Sequence, residues 1–198
     1  MRCSKYRVFQ LVIFSVLSLV LTHPAQAFDA DLWQKLQDGK AVALLRHALA
    51  PGNGDPVEFN VDDCATQRNL SPEGVAQADR IGALFRAQGI AHADVYSSQW
   101  CRCIDTANEL NLGTVIALPL LNSFYQDRST QRAQTDKLKQ WIEKRLENRS
   151  DDTTLPAVMV SHQVNITSLT NVYPSSGEIV IVGYQDANLV VLGTLETR

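Results

Sequence analysis

The sequence predicts an α/β fold, a three-layer α/β/α sandwich with a mostly parallel central sheet. Short runs of aliphatic residues alternate along the chain with segments whose apolar residues recur at helical spacing, and this alternation is typical of such sandwiches. The runs 41–45 and 157–160 are continuously apolar, which indicates strands buried on both faces. Residues 28–198, which remain after an expected signal segment, suffice for one domain with a full core and no more.

Each element has its own signature in the sequence. Ser71 is placed to cap a helix that has Pro72 at its first position and ends at Gly89. Its buried stripe is predicted to be Val75, Ala78, Ile81 and Phe85. The segment 51–69 is predicted as a long irregular loop, and loops of this length usually carry function. The other expected elements are a helix over 29–37, strands over 41–45 and 93–98, a helix over 101–110, a strand over 114–117, a helix over 131–148, a strand over 157–161, a helix over 163–170, and closing strands over 178–182 and 189–192.

The first 27 residues have the pattern of a secretory signal peptide. A positively charged start is followed by an apolar stretch over 8–21, which is too short to span a bilayer comfortably because a span needs about 20 residues. The segment ends in an A-x-A-like cleavage site. We therefore expect cleavage after Ala27 and a mature domain of residues 28–198, periplasmic or secreted, with no stable membrane insertion.

Removal of this segment makes the charge balance more acidic. It carries three basic and no acidic residues, so the mature chain keeps 15 basic against 21 acidic groups, a net charge of −6. No basic run exists, and this argues against a nucleic-acid partner. An anionic substrate would have to be bound by locally clustered arginines.

Three cysteines remain after the signal segment: Cys64, Cys101 and Cys103. An odd number in an oxidising compartment suggests one disulfide and one buried thiol. Cys101 and Cys103 would point in opposite directions if extended, so Cys64 is expected to pair with one of them. Zinc binding is the competing interpretation, but three cysteines without a nearby histidine make a poor site, and no metal is expected.

Polar side chains follow three of the predicted strands. Arg46 and His47 end the first strand, Arg102 follows the second, and His162 ends the fourth. Because the carboxyl ends of parallel strands meet at one edge, these four side chains should converge there. A guanidinium binds oxyanions as a fork, and an imidazole can attack phosphorus. The pattern therefore predicts a phosphate site with a histidine nucleophile.

At these residues the chain resembles the histidine phosphatase superfamily, which includes phosphoglycerate mutases and many acid phosphatases. The resemblance rests on the segments 45–48 (LRHA), 70–74 (LSPEG), 97–103 (SSQWCRC) and 161–162 (SH), in the order of the family. More narrowly, the segments 62–70, 121–124 and 162–166 look like an exported bacterial subgroup.

The resemblance implies a role for each residue at the predicted strand ends. His47 would be the nucleophile that forms a phosphohistidine, while Arg46, Arg102 and His162 would hold the phosphoryl oxygens. No metal or other cofactor would be required, because the arginines supply the positive charge. Arg68 is a candidate third phosphate-binding arginine, or else an ordinary loop ion pair. Asn165 either faces the site or caps a helix.

One departure from the family concerns the acid that protonates the leaving group. Mutase-like members usually have a glutamate where this chain has Asn122, and an amide is no useful proton donor. Gln163 follows His162, so the His-Asp pair of the acid phosphatases is also missing. The candidate substitutes are Asp63, Glu58 and Glu178, with Asp63 first because its loop should overhang the site.

These observations predict an exported phosphatase that hydrolyses small phosphomonoesters through a phosphohistidine, without a metal ion. The alternative is a catalytically weak or inactive envelope protein that binds a phosphorylated ligand, which the missing glutamate favours. A third interpretation is a phosphatase that modifies lipopolysaccharide at the membrane surface. The physiological substrate and the oligomeric state stay open, because specificity in such folds lies in loops.

Overall fold

The computed structural model describes residues 24–148, 155–186 and 188–197. Its helices are α1 (Pro24–Gln37), α2 (Pro72–Ala87), α3 (Cys101–Glu109), α4 (Gln131–Glu147) and α5 (Gln163–Thr170). Its strands are β1 (Ala41–Arg46), β2 (Asp94–Ser97), β3 (Val115–Ala117), β4 (Ala157–Ser161), β5 (Ile179–Gln185) and β6 (Asn188–Leu195). Residues 1–23 of the expected signal peptide lie outside the described residues, and cleavage after Ala27 stays a prediction.

The six strands form one sheet in the order β3-β2-β4-β1-β5-β6. β1, β2, β3 and β4 pair in parallel, whereas β5 is antiparallel to both of its neighbours. In the β1–β4 register Arg46 lies opposite Ser161. The register therefore brings Arg46-His47 and Ser161-His162 to the same edge of the sheet, as the sequence predicts.

Helices cover both faces of the sheet and complete the three layers. On one face α1, α2 and α3 bury their apolar side chains against the sheet, with Phe85 and Trp33 in edge-to-face contact. On the other face α4 and α5 pack through Leu138, Ile142 and Ile166. The predicted α/β/α sandwich is confirmed. Every helix in the described ranges is too short or too polar to cross a membrane.

The start of α2 shows how the chain returns from the long loop. The Ser71 hydroxyl accepts a hydrogen bond from the Gly74 amide, which is the predicted cap. Gly74 is buried because the backbone around Leu49 packs against it, and a Cβ there would overlap the Leu49 carbonyl. Val75, predicted in the buried stripe, is 39% exposed. That prediction was wrong because α2 approaches this segment through its backbone rather than through a bulky side chain.

Candidate active site

A cavity of about 70 Å³ opens at the carboxyl edge of β1 and β4, beside the start of α3. We call it the central cavity. The structure brings together here five of the residues predicted from the sequence: Arg46, His47, Arg68, Arg102 and His162. The other lining residues are Asn53, Gly54, Asp55, Ser123, Tyr125, Gln163 and Val164.

His47 is 2% exposed and its ring is fixed by one backbone contact. Its Nδ1 lies 2.8 Å from the carbonyl oxygen of Ala48. A carbonyl only accepts hydrogen bonds, so Nδ1 carries the proton and Nε2 keeps a lone pair. Burial, followed by the charge of Arg102, lowers the pKa of His47 to about 3. His47 is therefore neutral near neutral pH, with a nucleophilic nitrogen available.

His162 is held in the complementary tautomer. Its Nδ1 lies 3.4 Å from Nη2 of Arg102, which can only donate, so Nδ1 is the acceptor. Its Nε2 then donates to the Ser98 hydroxyl at 2.9 Å. Burial first, and then the neighbouring His47, lower the pKa of His162 well below its usual value. The two rings lie edge to face, with their centroids 5.5 Å apart.

Two guanidinium groups in the central cavity have unused donors. The Nε atoms of Arg46 and Arg102 are buried and have no hydrogen-bond partner in the described residues. Arg46 is anchored by its Nη1, which donates to the Pro174 carbonyl at 2.9 Å. Burial first, and then the charge of Arg102, lower the pKa of Arg46. Buried donors without partners are costly, and an oxyanion in the cavity would satisfy them.

Arg68 lines the same cavity and also forms hydrogen bonds within its own loop. Its Nε donates to the Gly54 carbonyl at 2.7 Å, and its Nη1 donates to the Ala50 carbonyl. Burial first, and then the charge of Arg102, lower the pKa of Arg68. Arg68 therefore adds positive charge to the cavity and also stabilises the loop that carries it.

The carboxylate of the central cavity is Asp55, which was not among the candidates expected from the sequence. Its side chain is buried and forms an ion pair with Arg102, with 2.6 Å between Oδ1 and Nη1. The indole Nε1 of Trp100 donates to its other oxygen at 3.0 Å. The signal available in the sequence was its position in the long loop, which it shares with Asp63.

The three carboxylates expected near the leaving group do not line the central cavity. Asp63 is exposed, and its side chain accepts a hydrogen bond from the Ala65 amide, so it caps its own short turn. Glu58 is exposed. Glu178 accepts from the Ser175 amide at 2.8 Å in the turn before β5. Asp63 is therefore poorly placed to protonate a leaving group, because capping of its own turn holds its carboxylate at the surface.

Two asparagines form a supporting layer beside His162. Asn122 accepts hydrogen bonds from the Gln99 amide at 2.9 Å and from the Ser98 hydroxyl at 3.3 Å. Asn165 is buried and donates to the Asn122 carbonyl at 2.8 Å. Neither asparagine lines the cavity. Asn122 therefore supports the hydrogen-bond chain through Ser98 to His162.

The disulfide joins Cys64 to Cys101 and leaves Cys103 as a buried free thiol. This is one of the two pairings expected from the sequence. Cys103 Sγ lies 3.5 Å from Nε2 of His162, and burial raises the pKa of this thiol to about 12, so it is protonated. Within the described ranges, no group of His, Cys, Asp and Glu side chains could hold a metal ion.

A second cavity of about 360 Å³ adjoins the first, and we call it the outer cavity. The two share Tyr125, Gln163 and Val164 as walls. Its other lining residues are Phe124, Arg128, Gln131, Thr167, Ser168, Asn171 and Tyr173. The arrangement offers a small positive chamber next to a larger, mostly polar one.

The sequence model of the histidine phosphatase superfamily (branch 1) matches residues 42–124. This span contains Arg46, His47 and Arg102 and ends before His162. No curated protein sequence shows a significant match to the chain.

Solved structures share the fold at low sequence identity. The protein histidine phosphatase SixA complexed with tungstate superposes with a TM-score of 0.58 at 14% identity, over 79% of this chain and 97% of that chain. A mutant phosphoserine phosphatase from Entamoeba histolytica in complex with phosphoserine gives a TM-score of 0.56 at 14% identity, over 80% and 98%. A mycobacterial glucosyl-3-phosphoglycerate phosphatase complexed with VO3 gives 0.56 at 14% identity, over 77% and 96%.

These likenesses agree with the residues that the sequence placed at the strand ends. The family model covers the first strand, the start of α2 and the Arg102 segment, and the solved structures share the fold of the chain. Over residues 42–124 the chain is therefore similar in sequence to the histidine phosphatase superfamily (branch 1).

Proposed function

We propose that this protein is an exported phosphatase that hydrolyses phosphomonoesters through a phosphohistidine at His47, without a metal ion. The observation that carries the proposal is a neutral His47 among three arginines, two of which have an unpaired buried Nε–H. A neutral imidazole is the nucleophilic form, and unpaired guanidinium donors fit an oxyanion.

The chemistry follows from these positions in two steps. The lone pair on Nε2 of His47 forms a bond to phosphorus while the ester P–O bond breaks and the leaving alcohol takes the electron pair. Water then attacks phosphorus, the P–N bond breaks, and inorganic phosphate leaves. The guanidinium groups stabilise negative charge on the phosphoryl oxygens in both steps, and this is the role that a metal ion has in other phosphoryl-transfer sites.

The central cavity has no evident acid among the described residues to protonate the leaving group. Asp55 is the one carboxylate among the described residues that lines the central cavity, and Arg102 holds it ionised. A carboxylate in that state has no proton to give. We therefore propose that the enzyme favours esters whose leaving groups depart without full protonation, such as aryl phosphates.

The neighbours support an oxyanion in the central cavity. Tungstate and VO3 are oxyanions, and they are bound in two of the proteins that share this fold. The outer cavity adjoins the phosphate position and would receive the leaving group. Its walls come from the segment 124–128, from α4 and α5, and from the segment after α5. The identity of the leaving group would depend on these side chains rather than on the fold.

Export is proposed from the sequence and from one structural feature. Residues 1–27 have the pattern of a signal peptide, and the Cys64–Cys101 disulfide is typical of an oxidising compartment. The mature protein would act on small phosphorylated molecules in the periplasm or outside the cell.

A second candidate function is a phosphate-binding envelope protein with no turnover. Asn122 in place of the usual glutamate and the ion-paired state of Asp55 favour it. Such a protein would bind inorganic phosphate through the same arginines and would not hydrolyse esters.

The test is hydrolysis of p-nitrophenyl phosphate by protein that begins at residue 28, in the presence of a chelator. Turnover that persists with chelator and disappears in His47→Ala is the expected result. Folded protein that binds phosphate without turnover between pH 4 and 8 would favour the second candidate. Turnover that the chelator abolishes would contradict the metal-free mechanism.

A further inference from the structure

The Asp55 carboxylate accepts four hydrogen bonds from other groups of the protein. Besides Nη1 of Arg102 at 2.6 Å, it accepts from Nη2 of Arg102 at 3.1 Å and from Nε1 of Trp100 at 3.0 Å. The backbone amide of Arg68 adds a fourth donor at 3.2 Å. Burial opposes ionisation, but these donors outweigh it and the pKa of Asp55 lies below its ordinary value.

The same contacts decide which part of Arg102 remains for a ligand. Its Nη1 donates both to Asp55 and to the Arg68 carbonyl at 3.2 Å, and its Nη2 donates both to Asp55 and to His162. The four terminal N–H groups therefore have protein acceptors. The Nε–H has none in the described residues. A bidentate pair of this kind fixes the plane of the guanidinium.

Asp55 also sets the net charge of the central cavity. Its lining contains three arginines and one aspartate, and both histidines are neutral, so the net charge is +2. A phosphomonoester dianion carries −2. Without Asp55 the charge would be +3, which would hold the dianion and the phosphate product more tightly.

We propose that Asp55 is a positioning residue for phosphoryl transfer: it fixes the Arg102 guanidinium with its Nε–H free for the phosphoryl group. This role rests on the proposed function of the site. It predicts that loss of the Asp55 charge slows turnover without weakening phosphate binding, because the arginines remain but their geometry is no longer fixed.

The first test compares Asp55→Asn with Asp62→Asn, which removes one negative charge from an exposed position in the same loop. We expect Asp55→Asn to lower kcat by about 10–100-fold, a range typical for residues that orient active groups. The dissociation constant of inorganic phosphate, measured by calorimetry, should stay the same or fall. Asp62→Asn should change neither quantity.

Two results would overturn this role. An unchanged kcat with tighter phosphate binding would make Asp55 a competitor for the anion site. A kcat that falls in step with weaker phosphate binding would reduce Asp55 to a structural support. Trp100→Phe keeps both charges and removes one donor to Asp55, so it should give a smaller effect in the same direction if Asp55→Asn fails to fold.

A second readout does not depend on turnover. In ¹⁵N NMR spectra of the arginine side chains, the Arg102 Nε–H signal should be sharp in the native protein and should shift on addition of phosphate. In Asp55→Asn the signal should broaden, because the guanidinium is free to reorient. A signal equally sharp in both proteins would overturn the positioning role even if the protein hydrolyses no ester, whereas absence of turnover alone would contradict only the proposed function.

Discussion

Two of the regions that line the central cavity are fixed in different ways. The strand-end region consists of Arg46, His47 and His162, which the β1–β4 register places side by side. The loop region consists of residues 48–71, from which Asp55 and Arg68 reach the cavity. The first is set by the sheet itself, whereas the second depends on contacts between segments distant in sequence.

The loop region is attached to three consecutive residues at the start of α3. Trp100 and Arg102 bind Asp55, and the residue between them forms the disulfide with Cys64. The same residue donates its amide to the Gln67 side chain at 2.9 Å. The loop is therefore attached by an ion pair, a disulfide and a hydrogen bond. The strand ends, in contrast, are brought together by the pairing register of β1 and β4.

This difference suggests a division of roles. The strand-end region would carry the nucleophile and the primary phosphate contacts, and changes there should abolish turnover. The loop region would adjust the charge and geometry of the arginines, and changes there should reduce turnover or stability by smaller amounts. Three comparisons test that division, beginning with the largest expected effect.

The sharpest comparison is between two arginines, one from each region. Arg46→Ala should lower kcat/KM for p-nitrophenyl phosphate by about 10²–10³-fold, as expected when a donor to a developing charge is lost. Arg68→Ala should lower it by about tenfold, because two of the Arg68 donors bind loop carbonyls and serve the loop. Steady-state kinetics on both variants measures the difference. Equal losses, or a larger loss in Arg68→Ala, would contradict the division between the two regions.

The disulfide tests the attachment of the loop. The Cys64–Cys101 bond closes a separation of 37 residues, so its removal in Cys64→Ala/Cys101→Ala should lower the free energy of unfolding by about 2–4 kcal/mol. Turnover by the folded variant should fall by less than in Arg46→Ala, because the strand ends are untouched. Urea unfolding and aryl phosphate hydrolysis measure the two effects.

Reductant provides the control for this variant. It should reproduce the loss of stability in the native protein and have no effect on Cys64→Ala/Cys101→Ala. If reductant changes neither the stability nor the activity of the native protein, the loop is held in place without the disulfide.

The pH dependence of stability tests the strand-end region alone. The folded pKa of His47 is about 3, below its ordinary 6.5, so the unfolded chain binds more protons between these values. Stability is therefore full above about pH 6.5 and falls as the pH drops toward 3. The slope per buried histidine is at most about 1.4 kcal/mol per pH unit.

The matching measurement is urea unfolding at pH 7 and pH 5 for native protein, His47→Gln and His92→Gln. His47→Gln should reduce the loss of stability between the two pH values. His92 is exposed, and its replacement should leave that loss unchanged. A native protein equally stable at both pH values would mean that His47 is not held neutral by burial.

The same two regions differ in how far the sequence could predict them. Periodicity located β1 and β4, and the edge rule for parallel sheets then gathered Arg46, His47 and His162. This step needs only the strand order and the register. The odd number of cysteines and the spacing of Cys101 and Cys103 gave the disulfide partner of Cys64 to within two candidates.

The contribution of the loop region to the cavity could not be predicted from the sequence. Asp55 and Asp63 lie in the same irregular segment, and nothing local distinguishes them. What distinguishes Asp55 is its ion pair with Arg102, which lies 47 residues later in the chain. This contact exists only in the folded protein. Val75 was misplaced for a similar reason, since the close approach of Leu49 to Gly74 is a contact between backbones that apolar periodicity does not record.

The most direct test of the account is to identify the residue that carries the phosphoryl group during turnover. Protein mixed with a saturating aryl phosphate is quenched in alkaline denaturant, because phosphohistidine is labile in acid, and its peptides are analysed by mass spectrometry. One phosphoryl group is expected on His47, and none in His47→Ala. Hydrolysis that proceeds at full rate in His47→Ala, or a phosphoryl group on any other residue, would contradict it.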